Sequence, residues 1–169
     1  MTPSPERPIN WLQVVVGMIV LATGALVYLA DRPPEAAYFV RRGPREIRLH
    51  EQVPNLFGGL GRNLPAFAHA FAFTAVTGAF IARGKKGYLA AAAAWFAVDA
   101  AFEIGQRYGA ALADRIPAWF DSLPFLENTA SFFRKGTFDW ADLLAAALGS
   151  AGAFCFLSVS RKNEVCPKN

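Results

Sequence analysis

The chain has 169 residues, of which 54% are hydrophobic, 14% aromatic and only 18% charged, with a formal net charge of +4. This composition is too apolar for an ordinary soluble enzyme. The basic excess is not arranged as a basic stripe interleaved with aromatic residues, so no nucleic-acid partner is expected.

Aspartate, glutamate, lysine and arginine are absent from three long stretches of the sequence. These stretches cover residues 8–30, 63–82 and 143–160. Each is close to the ~20 apolar residues that an α-helix needs to cross a bilayer core of roughly 30 Å. The alternating pattern of membrane β-strands is missing from the sequence. The sequence therefore predicts an all-α, polytopic membrane protein.

Four transmembrane helices are predicted, and the first two cover 11–30 and 65–82. The first lies between Pro8 and Pro33, because proline breaks a helix on either side. It is longer than the apolar core of a signal peptide, so we expect it to remain in the membrane as a signal anchor. The second begins with Pro65, since proline is favoured in the first turn of a helix.

The third and fourth predicted helices cover 88–106 and 139–159. The link at 83–87 is too short for anything but a tight turn, so the third helix is expected to run antiparallel to the second. Small residues recur every four positions in the fourth helix, at Ala145, Gly149 and Ala153. Small residues at this spacing let membrane helices approach closely, so we expect a helix-packing face there.

Basic residues next to the predicted spans set the orientation, because lysine and arginine favour cytoplasmic loops. They cluster in the short turn and just after the fourth helix, at Arg83, Lys85, Lys86, Arg161 and Lys162. Both ends of the chain, residues 1–10 and 160–169, are therefore predicted to be cytoplasmic. The connections at 31–64 and 107–138 are then extracytoplasmic.

The connection at 107–138 is long for a helical bundle and rich in aromatic residues. Its large rings are Trp119, Phe120, Phe125, Phe132 and Phe133, yet it carries too many charges to cross a membrane. An amphipathic segment between the third and fourth helices, lying in the membrane interface with its apolar side down, accounts for both properties.

Five polar residues lie within or at the outer ends of the predicted spans, where an ionisable group costs roughly 2.5 to 3.5 kcal/mol on insertion scales. They are His69, Asp99, Glu103, Gln106 and Asp142. Asp99, Glu103 and Gln106 share one face of the third helix, at positions i, i+4 and i+7. Counting back from the 83–87 turn places His69 at the same height, and Asp142 begins the fourth helix. The spacing predicts a polar crevice in the outer part of the membrane.

Such a cluster suits three kinds of chemistry. Carboxylates beside a histidine can shuttle protons, bind a divalent metal ion, or hydrogen-bond to the headgroup of a lipid or glycan. No histidine pair or H-x-x-E spacing fixes two ligands on one turn, and Cys155 and Cys166 lack zinc-site or disulfide spacing, so no metal site is predicted. Nucleophile-elbow, phosphate-loop and dinucleotide motifs are missing, so no catalytic residue or cofactor is assigned.

Several of these polar residues also have a purely structural interpretation. Glu103 precedes Arg107 by four residues, which is the favoured order for a salt bridge along one helix. Asp139 fits the N-cap of the fourth helix, and Asp142 fits an acid in its first turn. His69 can simply hydrogen-bond to a neighbouring helix. The sequence leaves these alternatives open.

Three motifs carry a family resemblance through their order and their helix placement. They are A-H-A-F at 68–71, E-I-G-Q at 103–106, and R-K-G-T-F-D-W-A-D at 134–142, followed by Gly149. In this order they resemble the VanZ-like family of small bacterial membrane proteins, over about residues 65–153. The resemblance implies a bacterial inner-membrane protein in a family that is named for a teicoplanin-resistance member and has no established mechanism.

Two departures from the family pattern stand out. The family usually has an asparagine four residues after the second aspartate, where this chain has Ala146. The connection between the E-x-x-Q and D-x-x-D motifs is also longer than usual. The missing amide removes one polar group from the predicted crevice.

The favoured functional hypothesis is that the crevice binds the headgroup of an envelope lipid or glycolipid, which makes membrane lipids the expected partners. A second hypothesis is an accessory subunit that packs its small-residue helix faces and its 107–138 connection against a larger membrane protein complex. A third is an intramembrane acid/base or metal-dependent enzyme.

Overall fold

The structure, a computed structural model, describes residues 9–31, 56–81, 84–123 and 126–165. The described residues form α-helices, short 3₁₀ turns and connecting turns, with no strand among them, so the all-α prediction is confirmed for this part of the chain. Most of the predicted 1–10 segment, most of the 31–64 connection, and residues 166–169 of the predicted tail lie outside the described residues.

Four long helices and two short ones follow in chain order. The long helices are α1 (Trp11–Asp31), α2 (Leu64–Phe80), α3 (Gly84–Arg107) and α6 (Trp140–Val165). The short helices α4 (Gly109–Ala113) and α5 (Thr129–Lys135) lie between α3 and α6. Two 3₁₀ turns, Gly58–Arg62 and Ala118–Ser122, precede α2 and α5 respectively.

Two helix bounds differ from the expected ones by four residues or more. Helix α3 begins at Gly84, four residues before the predicted start, and Gly84 adopts a φ of 75° that glycine tolerates without steric cost. Lys85 and Lys86 therefore belong to the first turn of α3. Helix α6 continues through Arg161 to Val165, because nothing between 160 and 165 breaks a helix.

Helix α2 is the centre of the bundle and packs against α1, α3 and α6. On its α1 side, Ala68, Ala72 and Ala75 are fully or almost fully buried. A Cβ added to Gly24 of α1 would lie 2.7 Å from the Cβ of Ala68, so glycine is what lets α1 come this close. Small residues on both helices thus set the separation between α1 and α2.

The buried small-residue stripe of α6 differs from the predicted one at a single position. Gly149 and Ala153 are buried as expected, but Ala145 is only half-buried and Ala146 is 2% exposed. A helix of 3.6 residues per turn drifts away from a strict spacing of four, so the buried face takes Ala146 instead of Ala145. Gly149 lies directly against the backbone carbonyl of Phe67.

Two helical segments are long and apolar enough to cross a membrane, by length and composition alone. They are Gly84–Arg107 and Trp140–Arg161, with mean hydropathies of 1.3 and 1.8. The apolar segments Trp11–Val27 and Leu64–Phe80 are shorter than this criterion requires among the described residues. Two spans of this kind give weak support for a membrane location.

Candidate functional site

One end of the bundle collects most of the predicted polar residues. The antiparallel course of the helices brings the end of α1, the start of α2, the end of α3 and the start of α6 to this end. The connection from α3 to α6, with α4 and α5, lies at the same end. The polar residues are divided there among different helix pairs.

His69 on α2 and Asp99 on α3 form a contact of 2.7 Å between Nδ1 and Oδ1. The His69 side chain is 41% exposed, whereas that of Asp99 is 15% exposed. The His69 ring packs on Phe73, with 4.4 Å between centroids, and against the edge of Trp95. With Nδ1 engaged by the carboxylate, Nε2 is the ring nitrogen that a ligand can reach.

The second carboxylate oxygen of Asp99 makes this pair unusual. Oδ2 of Asp99 is buried and has no hydrogen-bond partner among the described residues. A buried acceptor without a donor costs free energy, so most such atoms in folded proteins are paired. The pair therefore offers one unsatisfied acceptor beside a half-exposed imidazole.

Glu103 makes different contacts, although it is one turn from Asp99. It is buried, its Oε1 accepts a hydrogen bond of 2.5 Å from the backbone N–H of Asp139, and its Oε2 accepts one of 3.3 Å from Nε2 of Gln106. Asp139 in turn accepts a hydrogen bond of 2.8 Å from the N–H of Ala141 through Oδ1. The first turn of α6 is thus capped by its own Asp139 and by a carboxylate from α3.

Arg107 does not form the salt bridge with Glu103 that their spacing allows, within the part of the chain that is described. Its guanidinium group lies over the ring of Phe138, with 5.9 Å to the centroid. Glu103 is directed inward to the start of α6, whereas Arg107 is exposed. The guanidinium therefore stacks on an aromatic ring of the connection to α6.

Asp142 ties α6 to the start of α2. Its Oδ1 accepts a hydrogen bond of 2.7 Å from Nδ2 of Asn63, the residue before α2, and the Asn63 side chain makes no cap bond to its own helix. A similar tie exists at the end of α1, where Oδ2 of Asp31 accepts a hydrogen bond of 3.1 Å from the N–H of Phe57. Sequence reasoning missed Asn63, although an asparagine directly before Leu64-Pro65 is a typical helix-start signal.

The connection between α3 and α6 contains two short helices and a 3₁₀ turn, and part of it packs on α3. Phe133 of α5 stacks on Phe102 of α3, with 5.8 Å between ring centroids and 8° between planes, and lies close against Gly105. Trp119, in contrast, is 57% exposed. Some aromatic residues of this segment therefore pack against α3, whereas others are exposed.

The five predicted crevice residues therefore form three contacts: His69 with Asp99, Glu103 with Gln106 and Asp139, and Asp142 with Asn63. Helix α3 packs against both α2 and α6, so a rotation of about 40° between residues four apart directs Asp99 to α2 and Glu103 to the start of α6. Within the described ranges, no group of three His, Cys, Asp or Glu side chains is placed to hold a metal ion.

No protein-family model, curated protein or solved structure matches this chain. The resemblance to VanZ-like proteins therefore depends on the short motifs in the sequence.

Proposed function

We propose that the protein is a multi-pass, VanZ-like protein of the bacterial inner membrane that binds the headgroup of an envelope lipid or glycolipid. In this proposal α1, α2, α3 and α6 cross the membrane, and both ends of the chain are cytoplasmic. The length of α1, 21 residues, and the basic residues Lys85, Lys86 and Arg161 at the opposite end from the polar contacts support this arrangement.

The observation that carries the proposal is the pair of His69 and Asp99. Oδ2 of Asp99 is buried and has no donor among the described residues, and the half-exposed ring of His69 lies beside it. A hydroxyl or amine that displaced the side chains covering Oδ2 of Asp99 would donate a hydrogen bond to this oxygen, and Nε2 of His69 would accept a second one in its neutral form. Sugar hydroxyls and headgroup amines supply donors of this kind.

Glu103, Gln106 and Asp142 have a supporting role in this proposal. Both oxygens of Glu103 are engaged, one by α6 and one by Gln106, and Asp142 is bonded to Asn63. These contacts fix the starts of α2 and α6 relative to the end of α3. A site held by such contacts is formed before the ligand arrives, which lowers the entropic cost of binding.

The test compares the lipids that copurify with the full-length protein in mild detergent. One lipid class is expected to copurify with wild type at a higher fraction than it has in the membrane. This enrichment should be lost in Asp99→Asn and in His69→Ala. Asp114→Asn is the matched control, because Asp114 lies at the same end and its exposed side chain pairs with Arg134. Identical lipid profiles for wild type, Asp99→Asn and His69→Ala would refute the proposal.

A second candidate function is that of an accessory subunit in a larger membrane protein complex. It is favoured by the exposed apolar side chains of the connection between α3 and α6, where Tyr108, Trp119 and Leu123 are 60%, 57% and 41% exposed. Replacing Trp119 and Leu123 by alanine should then release a stoichiometric partner protein from the complex purified from native membranes. If no polypeptide copurifies with wild type, this candidate is excluded.

A further inference from the structure

Three cationic side chains lie at the end of the bundle opposite to the polar contacts. Lys85 and Lys86 are exposed in the first turn of α3. Arg161 of α6 reaches the same turn, since a Cβ added to Gly84 would lie 2.6 Å from Nη1 of Arg161. The start of α3 and the last part of α6 thus bring three positive charges to one end of this helix pair.

No carboxylate of the described residues balances these charges. Lys85, Lys86 and Arg161 form no ion pair and no side-chain hydrogen bond within the part of the chain that the structure describes. The carboxylate side chains that it describes lie at the end of α1, in the second half of α3, in the connection to α6 and at the start of α6. Of the charged residues next to the three cations in the sequence, Arg83 and Lys162 are positive and Glu164 is negative, so the local excess stays positive.

The position of Arg161 is electrostatically unfavourable unless an anion is near it. A helix start carries a partial positive charge, because its first N–H groups have no acceptor within the helix. A guanidinium group beside Gly84, with Lys85 and Lys86 in the same turn, therefore adds like charge to like charge. An anion at this surface lowers the electrostatic free energy, and both arginine and lysine donate hydrogen bonds to phosphate oxygens.

An apolar groove of about 260 Å³ continues from these cations between α3 and α6. Arg161 shares a face of α6 with Phe154 of the groove, which lies seven residues, or two turns, earlier. The α3 lining continues the face of Lys85 at intervals of four, three and four residues, at Leu89, Ala92 and Phe96. The groove therefore begins one turn from Lys85 and extends along α3 for about 10 Å.

Large apolar side chains are exposed beside the cations. Ile81, at the end of α2, is 76% exposed, and Val159, two residues before Arg161, is 60% exposed. Acyl chains pack on such side chains, whereas a soluble anion gains nothing from them. Cations next to an apolar groove and an apolar rim therefore fit a molecule that has both a phosphate group and a hydrocarbon chain.

We propose that this surface binds an anionic phospholipid, with its phosphate at Lys85, Lys86 and Arg161 and one acyl chain along the α3–α6 groove. Basic pockets between membrane helices on the cytoplasmic side are typical sites for anionic lipids. The inference rests on the membrane arrangement proposed above, in which the three cations lie at the cytoplasmic surface, but not on the headgroup site. Asp99 of that site is 14 residues from Lys85, which separates the two sites by about 20 Å of helix rise.

The first experiment measures which lipids the full-length protein retains from vesicles of phosphatidylmethanol and phosphatidylcholine in equal amounts. Phosphatidylmethanol is anionic at its phosphodiester. Neither of the two headgroups carries the hydroxyl or amine donor that the proposed headgroup site requires, so the assay reports on the cationic surface alone. After extraction into mild detergent, mass spectrometry of wild type is expected to show more retained phosphatidylmethanol than phosphatidylcholine.

Removing the cations should remove this selectivity. Lys85→Gln with Lys86→Gln, and separately Arg161→Gln, are expected to lower the ratio of the two retained lipids by about fivefold for each charge removed. Arg115→Gln with Lys135→Gln is the matched control and should leave the ratio unchanged, because both residues are exposed in the connection at the other end of the bundle. Helix content by circular dichroism checks that each variant is folded.

The second experiment fills the groove. Ala93 is exposed and lines the groove, whereas Ala97, one turn further along α3, is exposed and does not line it. Ala93→Trp is expected to lower the amount of phosphatidylmethanol retained per chain by roughly threefold, because its ring takes the place of the acyl chain. Ala97→Trp is the matched control and should retain as much as wild type.

Four results would overturn the proposal. The first is equal retention of the two lipids by wild type, and the second is an unchanged ratio in Lys85→Gln with Lys86→Gln. The third is displacement of the lipid by inorganic phosphate at constant ionic strength, with equal retention in Ala93→Trp and Ala97→Trp, which would assign the cations to a soluble phosphate. The fourth is a loss of phosphatidylmethanol in Asp99→Asn, which would assign its binding to the headgroup site.

Discussion

The carboxylate of Glu103 on α3 accepts a hydrogen bond from the backbone N–H of Asp139, at the start of α6. In a capping box this N–H is bonded by an acid in the same helix, three residues after the cap. Here Asp142 occupies that third position and bonds to Asn63 instead. The cap of α6 is thus a tertiary contact, and it links the end of one long helix to the start of the next.

Removing this carboxylate should destabilise the bundle. Glu103→Ala leaves the part-buried N–H of Asp139 without its acceptor, so we expect a loss of about 1–3 kcal/mol in the free energy of unfolding. Glu103→Gln keeps an acceptor oxygen and should lose less. Denaturant titration of the detergent-solubilised protein measures both, and Asp121→Asn, exposed in the connection, is the control. Equal stability of Glu103→Ala and wild type would show that this contact contributes nothing.

The two caps of α6 should also depend on each other. Asp139→Ala removes the bond to the Ala141 N–H and is expected to cost about 1 kcal/mol. Glu103 and Asp139 both form hydrogen bonds at the start of α6. The loss of unfolding free energy in the double variant, Glu103→Ala with Asp139→Ala, should therefore differ from the sum of the losses in the two single variants. A double-mutant cycle measures this coupling. Additive effects within about 0.3–0.5 kcal/mol would mean that the two caps act independently.

Two glycines on α6 should respond differently to the same added methyl group. A Cβ at Gly149 would overlap the backbone carbonyl of Phe67, which cannot rotate away, whereas a Cβ at Gly152 would meet the Phe71 ring at 3.6 Å, an ordinary contact. We expect Gly149→Ala to lower stability by about 1–3 kcal/mol and Gly152→Ala to be tolerated. Thermal unfolding of both variants tests the α2–α6 contact. Similar losses at the two positions would mean that this close approach does not occur.

The contact with Asp99 should fix the protonation site on the His69 ring. A carboxylate beside Nδ1 favours a proton on that nitrogen, since the bond at one ring nitrogen sets the tautomer. Nitrogen NMR of histidine-labelled protein is expected to show Nδ1–H for His69, with His50→Gln used for assignment. Asp99→Ala should remove the preference, whereas Asp114→Asn should leave it unchanged. A spectrum that is insensitive to Asp99→Ala would contradict the contact.

Local sequence features predicted the parts of the fold that depend on neighbours along the chain. The uncharged stretches predict three of the four long helices, and Asp139 is predicted as an N-cap because its partner, Ala141, is two residues away. The aromatic connection was expected as one amphipathic segment. It folds into α4, a 3₁₀ turn and α5, because Phe133 packs against Phe102 and Gly105. That packing depends on the position of the end of α3, which cannot be read from the sequence of the connection alone.

The sequence by itself determined which polar residues lie at one end of the helices, because helix rise and turn position set their height. The tertiary structure decided which of them meet. Asp99 contacts α2 and Glu103 contacts the start of α6 because α3 packs against both helices, and Asp142 bonds to Asn63, a residue 79 positions away. Periodicity gives the angle between two side chains on one helix, whereas the rotation of that helix about its own axis is set by its packing partners. For this reason the five residues make three sets of hydrogen bonds, and within the described ranges an acceptor without a donor remains at Asp99.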